Sequence, residues 1–411
     1  MKINVREEVS IVHNPTGGKR LTLALLLGLL AIMGPLNIDM YLPSFPGIAT
    51  DLETSAKLVQ TSLTACLLGL AIGQLVIGPI SDAQGRRKPL LIATSLFVIT
   101  SILCALAPNI IVLIAARFLQ GFTASAGVVL SRAVVRDVFS GREMTKFFSL
   151  LMVINAVAPM VAPMAGGTIL SFEGASWKSI FLFLAFVGLV IVTIVALKLQ
   201  ETLPREKRIP SSIGASLKTM GSLCKDPSFI GYALVVGFVH GGSFAYVSGT
   251  PFIYQDIYGV TPQVFSVLFG INGIAIITGS FLIGRLGGII SEQRLLETAV
   301  KINLTMTVGI LFIGFIKGPL ALLVLFIFLY MITIGMTITS TFILGMAKQE
   351  LRAGSASAIL GMLPLLLGAV ASPLAGINEG SAVPMGAILF ISSLIGFTAF
   401  FTLAKKDTQE S

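Results

Sequence analysis

The chain alternates long apolar runs with short polar segments along almost its whole length. Each apolar run has about the 20 residues that a helix needs to cross a bilayer. Because the runs lack the period of two that a membrane-spanning β-strand requires, we expect an all-α polytopic membrane protein with twelve transmembrane helices. The twelve runs cover residues 21–42, 56–80, 89–107, 110–135, 147–170, 178–199, 229–254, 263–284, 298–316, 319–346, 354–377 and 382–404.

The polar segment between the second and third runs must form a tight turn, because both of its neighbours are apolar. Residues 78–90 read Gly-Pro-Ile-Ser-Asp-Ala-Gln-Gly-Arg-Arg-Lys-Pro-Leu. The three consecutive cations indicate the cytoplasmic face of the membrane. Other cations follow the same side, so we predict that both termini are cytoplasmic. Of 28 Lys and Arg residues, the exceptions are Lys57, Arg117, Lys178 and Lys317.

Composition supports a membrane protein and excludes other classes. Apolar residues make up 55% of the 411 positions and charged residues 11%, and the mean hydropathy is +0.94, a balance that no soluble surface carries. The cations behind the net charge of +9 lie mainly at the termini and in the loops on one side, so we expect no nucleic-acid partner. The three cysteines lack paired spacing, and no enzyme motif or phosphate-binding loop occurs, so we predict no catalytic residue, metal site or cofactor.

A long polar connection divides the twelve runs into two sets of six. We predict an N-terminal six-helix bundle at residues 1–200, a cytoplasmic central loop at 201–228 and a C-terminal six-helix bundle at 229–411. An offset of 206 aligns residues 73–78 with 279–284 and puts Asp82 opposite Gly288. An offset of 210 aligns residues 162–166 with 372–376. These echoes predict two pseudo-symmetric bundles.

Two charged residues fall inside the apolar runs, Asp39 near the end of the first and Arg117 near the start of the fourth. If Pro43 marks the outer end of the first span, they lie roughly 6 and 10 Å below the outer face at ~1.5 Å per residue. Intramembrane charges are costly enough to indicate function, so we predict a proton-coupling pair if these helices are neighbours. Two interpretations remain open: a fixed ion pair, or an aspartate that titrates as the cavity opens and closes.

Polar and aromatic residues inside the runs are candidates for the wall of a substrate cavity. His240 lies among three glycines, which favour close packing, with substrate contact as the alternative. In the fifth span, two prolines and two glycines weaken the helix and predict a hinge between the bundles. The cavity candidates are Asn37, Tyr41, Gln120, Asn155, Tyr246 and Asn272, and the hinge residues are Pro159, Pro163, Gly166 and Gly167.

The turn at residues 78–90 also has the composition of a gate. Asp137, at the end of the fourth span, is a candidate partner for Arg86 or Arg87, and Gly78 would let the second helix approach the eleventh, whose N-terminal dipole is available to Asp82. Such a latch would hold an outward-open state. The alternative is that the basic residues only mark the cytoplasmic face. That interpretation leaves Asp82 and the glycines unexplained. The predicted gate residues are Gly78, Asp82, Gly85, Arg86, Arg87 and Asp137.

The spacing Gly78-x-x-x-Asp82-x-x-Gly85-Arg-Arg-Lys, between two of twelve spans, resembles the signature of the major facilitator superfamily. Residues 117–121, Arg-Phe-Leu-Gln-Gly, resemble its helix-four motif, which in drug:proton antiporters supplies an arginine linked to proton exchange. Residues 158–167 resemble the helix-five antiporter motif, with Ala162 where a glycine usually precedes the second proline. Residues 37–43, 201–204 and 244–252 are similar to the bicyclomycin-resistance (Bcr/CflA) branch of multidrug efflux proteins.

This resemblance implies the major facilitator fold, in which two bundles rock about a central cavity. It implies a proton-coupled antiporter that exports small amphipathic drugs across the cytoplasmic membrane, with Asp39 and Arg117 in the coupling. The expected partners are a small-molecule drug, protons and membrane lipid, and we expect a functional monomer. The alternatives are a facilitator or proton-coupled transporter of a polar metabolite such as an amino acid or sugar, and a sensor or scaffold, which would call for an appended soluble domain.

Overall fold

The computed structural model of the chain describes residues 17–208, 213–347, 349, 352–378 and 380–405. Among these residues, twelve helical stretches are long and apolar enough to cross a membrane, which confirms the predicted all-helical, twelve-span fold. The helices are α1 (Gly17–Asp39), α2 (Phe45–Asp51), α3 (Ala56–Gln84), α4 (Arg87–Ala105), α5 (Ile110–Val138), α6 (Gly141–Ile169), α7 (Trp177–Lys198), α8 (Ile213–Leu223), α9 (Pro227–Phe252), α10 (Pro262–Leu286), α11 (Glu292–Ile316), α12 (Leu320–Met346), α13 (Ala353–Leu374) and α14 (Val383–Ala399).

The prediction that Pro43 ends the first span is wrong. After α1 the chain passes through a short 3-10 turn, Leu42–Ser44, directly into α2, so the helical stretch reaches Asp51. Pro43 lies at the start of that turn, where its missing N–H leaves no hydrogen bond unmade. Asp39, the last residue of α1, therefore lies inside the helical stretch and not at its end.

Polar side chains define where several helices begin. The Ser55 hydroxyl and the Asn109 amide oxygen accept hydrogen bonds from the backbone N–H groups three residues later, at the starts of α3 and α5. In α9, the Asp226 carboxylate accepts two such bonds, and Pro227 fills the first helical position. These contacts satisfy N–H groups that a helix leaves unpaired at its start. The central loop, predicted only as a polar connection, contains helix α8.

The halves α1–α7 and α9–α14 repeat one packing contact. In the first half, a side chain at Gly69 would collide with the carbonyl of Phe118, and one at Gly121 with the carbonyl of Cys66. The second half has the same reciprocal pair on α10 and α12, where Gly279 meets Ile332 and Gly335 meets Ile276. Gly69 is therefore the counterpart of Gly279. The offset between α3 and α10 is 210, and the predicted alignment at 206 is wrong by one helical turn.

The spans end alternately at two ends of the bundle. We call the end with the α3–α4, α5–α6 and α7–α9 connections the basic end, because cations such as Arg87, Arg142 and Lys198 lie there, and the other the opposite end. In the described part of the chain, every hydrogen bond between the halves lies toward the opposite end. These bonds run from Gln60 to Ser248, from Ser372 to Gln60, from Thr64 to Ala369, from Gln255 to Pro43 and from Gln263 to Gly167.

Candidate functional site

Arg117 lies inside the first half, completely buried between α1, α4 and α7. Its Nη1 donates to Oδ1 of Asn37 at 2.6 Å and to Oε1 of Gln120 at 2.5 Å. Its Nη2 donates to the backbone carbonyl of Asn37 at 2.7 Å. The guanidinium also lies over the ring of Tyr41 at 4.1 Å and near that of Phe181 at 5.6 Å. The cation is therefore held by neutral oxygens and aromatic faces.

This arrangement extends into a buried polar network around the arginine. Gln120 donates through Nε2 to the Ser101 hydroxyl at 2.8 Å and accepts from the Cys104 thiol at 3.5 Å. Asn37 donates through Nδ2 to the Cys66 sulfur at 3.2 Å. Because each amide is oriented by a second contact, its oxygen stays directed at the guanidinium. Hydrogen bonds from Nη1 and Nη2 make this buried charge tolerable, whereas Nε of Arg117 has no hydrogen-bond partner among the described residues.

Asp39 makes no ion pair with Arg117, so of the two interpretations left open the fixed ion pair is absent in this conformation. The guanidinium takes Asn37 instead, and residues two apart on a helix do not face the same way. Asp39 is 6% exposed and has neither a hydrogen bond nor an ion pair with any described residue. It does lie close enough to Tyr246 of the second half for an electrostatic interaction. The carboxyl group is thus buried, unpaired and next to the boundary between the halves.

The predicted cavity residues fall into two groups that lie within the halves. Asn37, Tyr41 and Gln120 belong to the arginine network and are completely buried. In the second half, Asn272 on α10 donates through Nδ2 to the Tyr246 hydroxyl at 2.6 Å, and the Tyr246 ring stacks on Phe269. Both residues are almost fully buried. Asn155 of α6 is half-buried and donates to its own helix, at the carbonyl of Leu151.

At the basic end, Arg86 connects three elements. Its Nε donates to Oδ2 of Asp137 on α5 at 2.7 Å, and its Nη1 donates to Asp82 at 2.6 Å and to the Ser81 hydroxyl at 2.8 Å. Burial lowers the pKa of Arg86, but hydrogen bonds and charges from Asp137 and Asp82 outweigh burial and leave that pKa above its usual value. Arg86 therefore stays charged throughout the physiological pH range.

Glu201, just after α7, holds the same turn from the linker side. Its carboxylate accepts the backbone N–H of Arg86 at 2.7 Å and that of Arg87 at 3.3 Å, at the start of α4. It also accepts the amides of the next two linker residues at 3.0 Å each, and Arg208 lies 3.8 Å away. Gly85, with φ of +94°, provides the left-handed backbone and the space for this carboxylate, because a side chain there would collide with it.

Gly78 and the glycines of the predicted hinge have surroundings that differ from the expected ones. A side chain at Gly78 would touch only Val129 of α5, so the expected approach of the second helix to α13 at this point is absent in this conformation. The glycines of the hinge motif lie at tight contacts. Gly166 packs on the carbonyl of Met40 and Gly167 on Ser266 of α10, while Pro159 and Pro163 lie within α6.

Sequence reasoning missed several participants in the site. Ser101, Cys66 and Cys104 look like fillers of apolar runs, yet each bonds to an amide of the arginine network. Phe181 carries no polar signal, although it lies beside the guanidinium. Only Glu201 had a usable signal, as the acidic residue of the Glu-Thr-Leu-Pro segment directly after an apolar run.

Comparison with known proteins agrees with this architecture. The Major Facilitator Superfamily model matches residues 27–373. The uncharacterized MFS-type transporter YdgK of Bacillus subtilis (strain 168) is 69% identical over 396 residues, which cover 96% of this chain and 98% of that protein. A bicyclomycin resistance protein homolog of Haemophilus influenzae is 31% identical over 93% of this chain and 96% of its own length.

Solved structures share the fold at low sequence identity. An inward-facing, unoccupied bacterial homolog of the human lysosomal transporter Spinster superposes with a TM-score of 0.74 at 15% identity, covering 95% of this chain and 99% of its own. The Escherichia coli xylose transporter XylE, in a partially occluded inward-open conformation, gives a TM-score of 0.73 at 14% identity, covering 94% and 97%. The chain therefore belongs to the major facilitator superfamily, a family of membrane transporters rather than enzymes, and within it to the bicyclomycin-resistance (Bcr/CflA) branch.

Proposed function

We propose that this transporter exports small amphipathic drugs in exchange for protons. The observation that carries the proposal is Asp39, a carboxyl group buried inside a membrane span without an ionic or hydrogen-bonded partner among the described residues. An intramembrane acid without a partner is expensive to keep charged, so its protonation depends on whether water reaches it. Such a group suits a carrier that binds a proton in one conformation and releases it in another.

In the proposed cycle, Asp39 takes up a proton from outside as the drug leaves and releases it inward after the halves reorient. Arg117 supplies a fixed positive charge to the same segment of α1 through Asn37. Because its three hydrogen bonds go to neutral groups, the arginine does not neutralise the aspartate directly. In this proposal, Arg117 fixes the segment of α1 that carries Asp39.

The contacts between the halves support alternating access. Hydrogen bonds such as those of Gln60 and Thr64 close the opposite end. At the basic end, the described residues show no hydrogen bond between the halves. We assign the basic end to the cytoplasm by its cations, and we propose that this is an inward-facing conformation with both termini in the cytoplasm. The turn at Arg86 then acts as a gate that tightens in the outward-open state, with α6 bending at Pro159 and Pro163.

Drug export rather than metabolite transport is supported by the relatives. Besides the Haemophilus influenzae protein, multidrug resistance protein MdtL of Escherichia coli O157:H7 is 28% identical over 68% of this chain and 71% of its own length. We propose that this chain shares the drug-resistance activity that these names describe. It places the protein in the cytoplasmic membrane as a monomer whose partners are drugs, protons and lipid.

A susceptibility experiment tests the proposal. Cells expressing the protein are compared with cells expressing Asp39→Asn, with and without an uncoupler, against bicyclomycin and ethidium. We expect resistance to at least one compound, and its loss in Asp39→Asn and on uncoupling. Glu173→Gln is the matched control, because Glu173 is an exposed acid in a connection at the opposite end. Resistance that persists in Asp39→Asn or without a proton gradient would contradict the proposal, and resistance to neither compound would favour a metabolite carrier.

A further inference from the structure

His240 is the one histidine within the membrane-spanning helices of the described chain, near the middle of α9. From residue 239 to residue 252, every side chain is buried except those of His240 and Val247. Residues seven apart lie on the same side of a helix after two turns. The central part of α9 is therefore open along a single side, and His240 lies on it.

The neighbouring glycines define where that side points. Gly241 packs against Leu367 and Pro364 of α13, and Gly242 packs against Ser392 of α14. At about 100° per residue, His240 projects roughly 100° away from the first direction and 160° from the second. The expectation of close packing thus holds for the glycines, while the imidazole itself points to neither helix.

The open side of α9 borders the other half of the protein. Next to Val247, the carbonyl of Ser248 accepts a hydrogen bond from Gln60 of α3. His240 lies two turns farther toward the basic end, where the described residues provide no hydrogen bond between the halves. The imidazole therefore faces the gap between the halves. At this depth in the membrane, solutes from either side would reach it only through that gap.

The imidazole ring rests on an aromatic support. It stacks on Phe244 with ring centroids 5.7 Å apart and an angle of 28° between the planes. Phe244 is almost fully buried, and Gly368 of α13 gives it room, because a side chain there would overlap the phenyl ring. The support is thus fixed in place, while His240 itself is partly exposed.

The ring nitrogens complete the argument. Neither makes a hydrogen bond with any described residue, and neither is among the described polar atoms that are sealed from solvent without a partner. A neutral imidazole offers one donor and one acceptor in the plane of the ring. A membrane-buried polar group with accessible, unused hydrogen-bonding atoms is expensive unless water or a ligand meets it.

We propose that His240 and Phe244 form a stacking surface for planar aromatic ligands in the central cavity. The ligand extends the stack on the face of the imidazole opposite Phe244. A polar group at the ligand's edge bonds to a ring nitrogen. This inference rests on the proposed export of drugs and deepens it, because it names planar aromatic compounds as a preferred substrate class. It assigns the specificity-determining contact to the second half, separate from Asp39 in the first.

Equilibrium binding of ethidium to the purified full-length protein, followed by fluorescence anisotropy, tests the stacking surface. We expect His240→Leu to weaken ethidium binding roughly tenfold, because it keeps apolar bulk but removes the aromatic face. His240→Phe, which keeps that face, should stay within about threefold of the wild type. Tetrabutylammonium, a non-aromatic cation of the same charge, should bind both variants as it binds the wild type.

His13→Leu, at the chain's other histidine, is the matched control, and its binding of ethidium should equal that of the wild type. Emission of the single tryptophan, Trp177, verifies that each variant is folded. Ethidium binding by His240→Leu within about twofold of the wild type, equal weakening by His240→Leu and His240→Phe, or no binding to the wild type would each overturn the stacking surface. None of these outcomes bears on proton coupling at Asp39. Conversely, intact ethidium binding with no proton exchange would remove the proposed antiport and leave the stacking surface standing.

Discussion

Glu201 gives the sharpest prediction about stability, because one carboxylate holds the start of α4 and the linker together. Replacing it with glutamine keeps one oxygen, which still receives the N–H of Arg86. The other oxygen becomes an NH2 group that faces the N–H of Arg87 and the guanidinium of Arg208. Two attractive contacts turn repulsive, and the remaining bonds lose their charge assistance.

The expected cost follows from these contacts. Hydrogen bonds to charged groups contribute roughly 1.5–3 kcal/mol and neutral ones about 0.5–1.5. Because the Glu201 side chain is 20% exposed, water replaces part of what is lost. We therefore expect Glu201→Gln to destabilise the turn locally by about 2 kcal/mol, which corresponds to roughly thirtyfold more frequent opening.

Hydrogen exchange measures that opening directly. In Glu201→Gln, the amides of Arg86 and Arg87 should exchange about thirtyfold faster, whereas amides in the middle of α4 should be unaffected. Glu206→Gln is the control, since Glu206 is an exposed acid in the same linker. Unchanged protection in Glu201→Gln, or equal loss in the control, would refute the view that this carboxylate holds the turn.

Two other predictions concern packing and the gate. Gly121→Val should prevent accumulation of folded protein, because its side chain would collide with the backbone of α3, whereas Gly284→Ala, which has open space, should leave the yield of monodisperse protein unchanged. Asp137→Asn should slow drug export in vesicles more than Asp82→Asn, because Asp137 is 9% exposed and Asp82 is 44% exposed, and unpairing a buried cation costs roughly 3–5 kcal/mol. Arg294→Gln, in the first turn of α11, is the control outside the turn at Arg86 and should export at the wild-type rate, and slowing equal to that of Asp82→Asn would contradict the assignment of the gate to that turn.

The fold was predictable because the membrane imposes it. A bilayer requires runs of a fixed length, so the twelve spans could be read from the apolar pattern, with errors mainly where a second helix follows a short turn, as at Pro43. The repeat was recognisable as well, but its register was not. Sequence similarity aligns Gly73 with Gly279. Gly69 and Gly73 both lie against the backbone of α5, and only the reciprocal contacts of Gly121 and Gly335 identify Gly69 as the counterpart.

The site was predictable in its residues and not in its pairing. Depth along a helix can be counted from the sequence, and this placed Asp39 and Arg117 in adjoining layers. The direction of a side chain around its helix depends on which neighbouring helix each side packs against. In α1, this packing directs Asn37 at Arg117. The role of Glu201 was equally hidden, because a linker folding back on a turn leaves no periodic pattern.

The central claim is that the unpaired carboxyl of Asp39 carries the exchanged proton. Proteoliposomes containing the purified protein and an internal pH-sensitive dye test it most directly, with a drug gradient as the only driving force. We predict drug-dependent proton movement with wild-type protein and with Glu173→Gln, and drug binding without proton movement with Asp39→Asn. Proton movement in Asp39→Asn equal to that of the wild type would contradict the account.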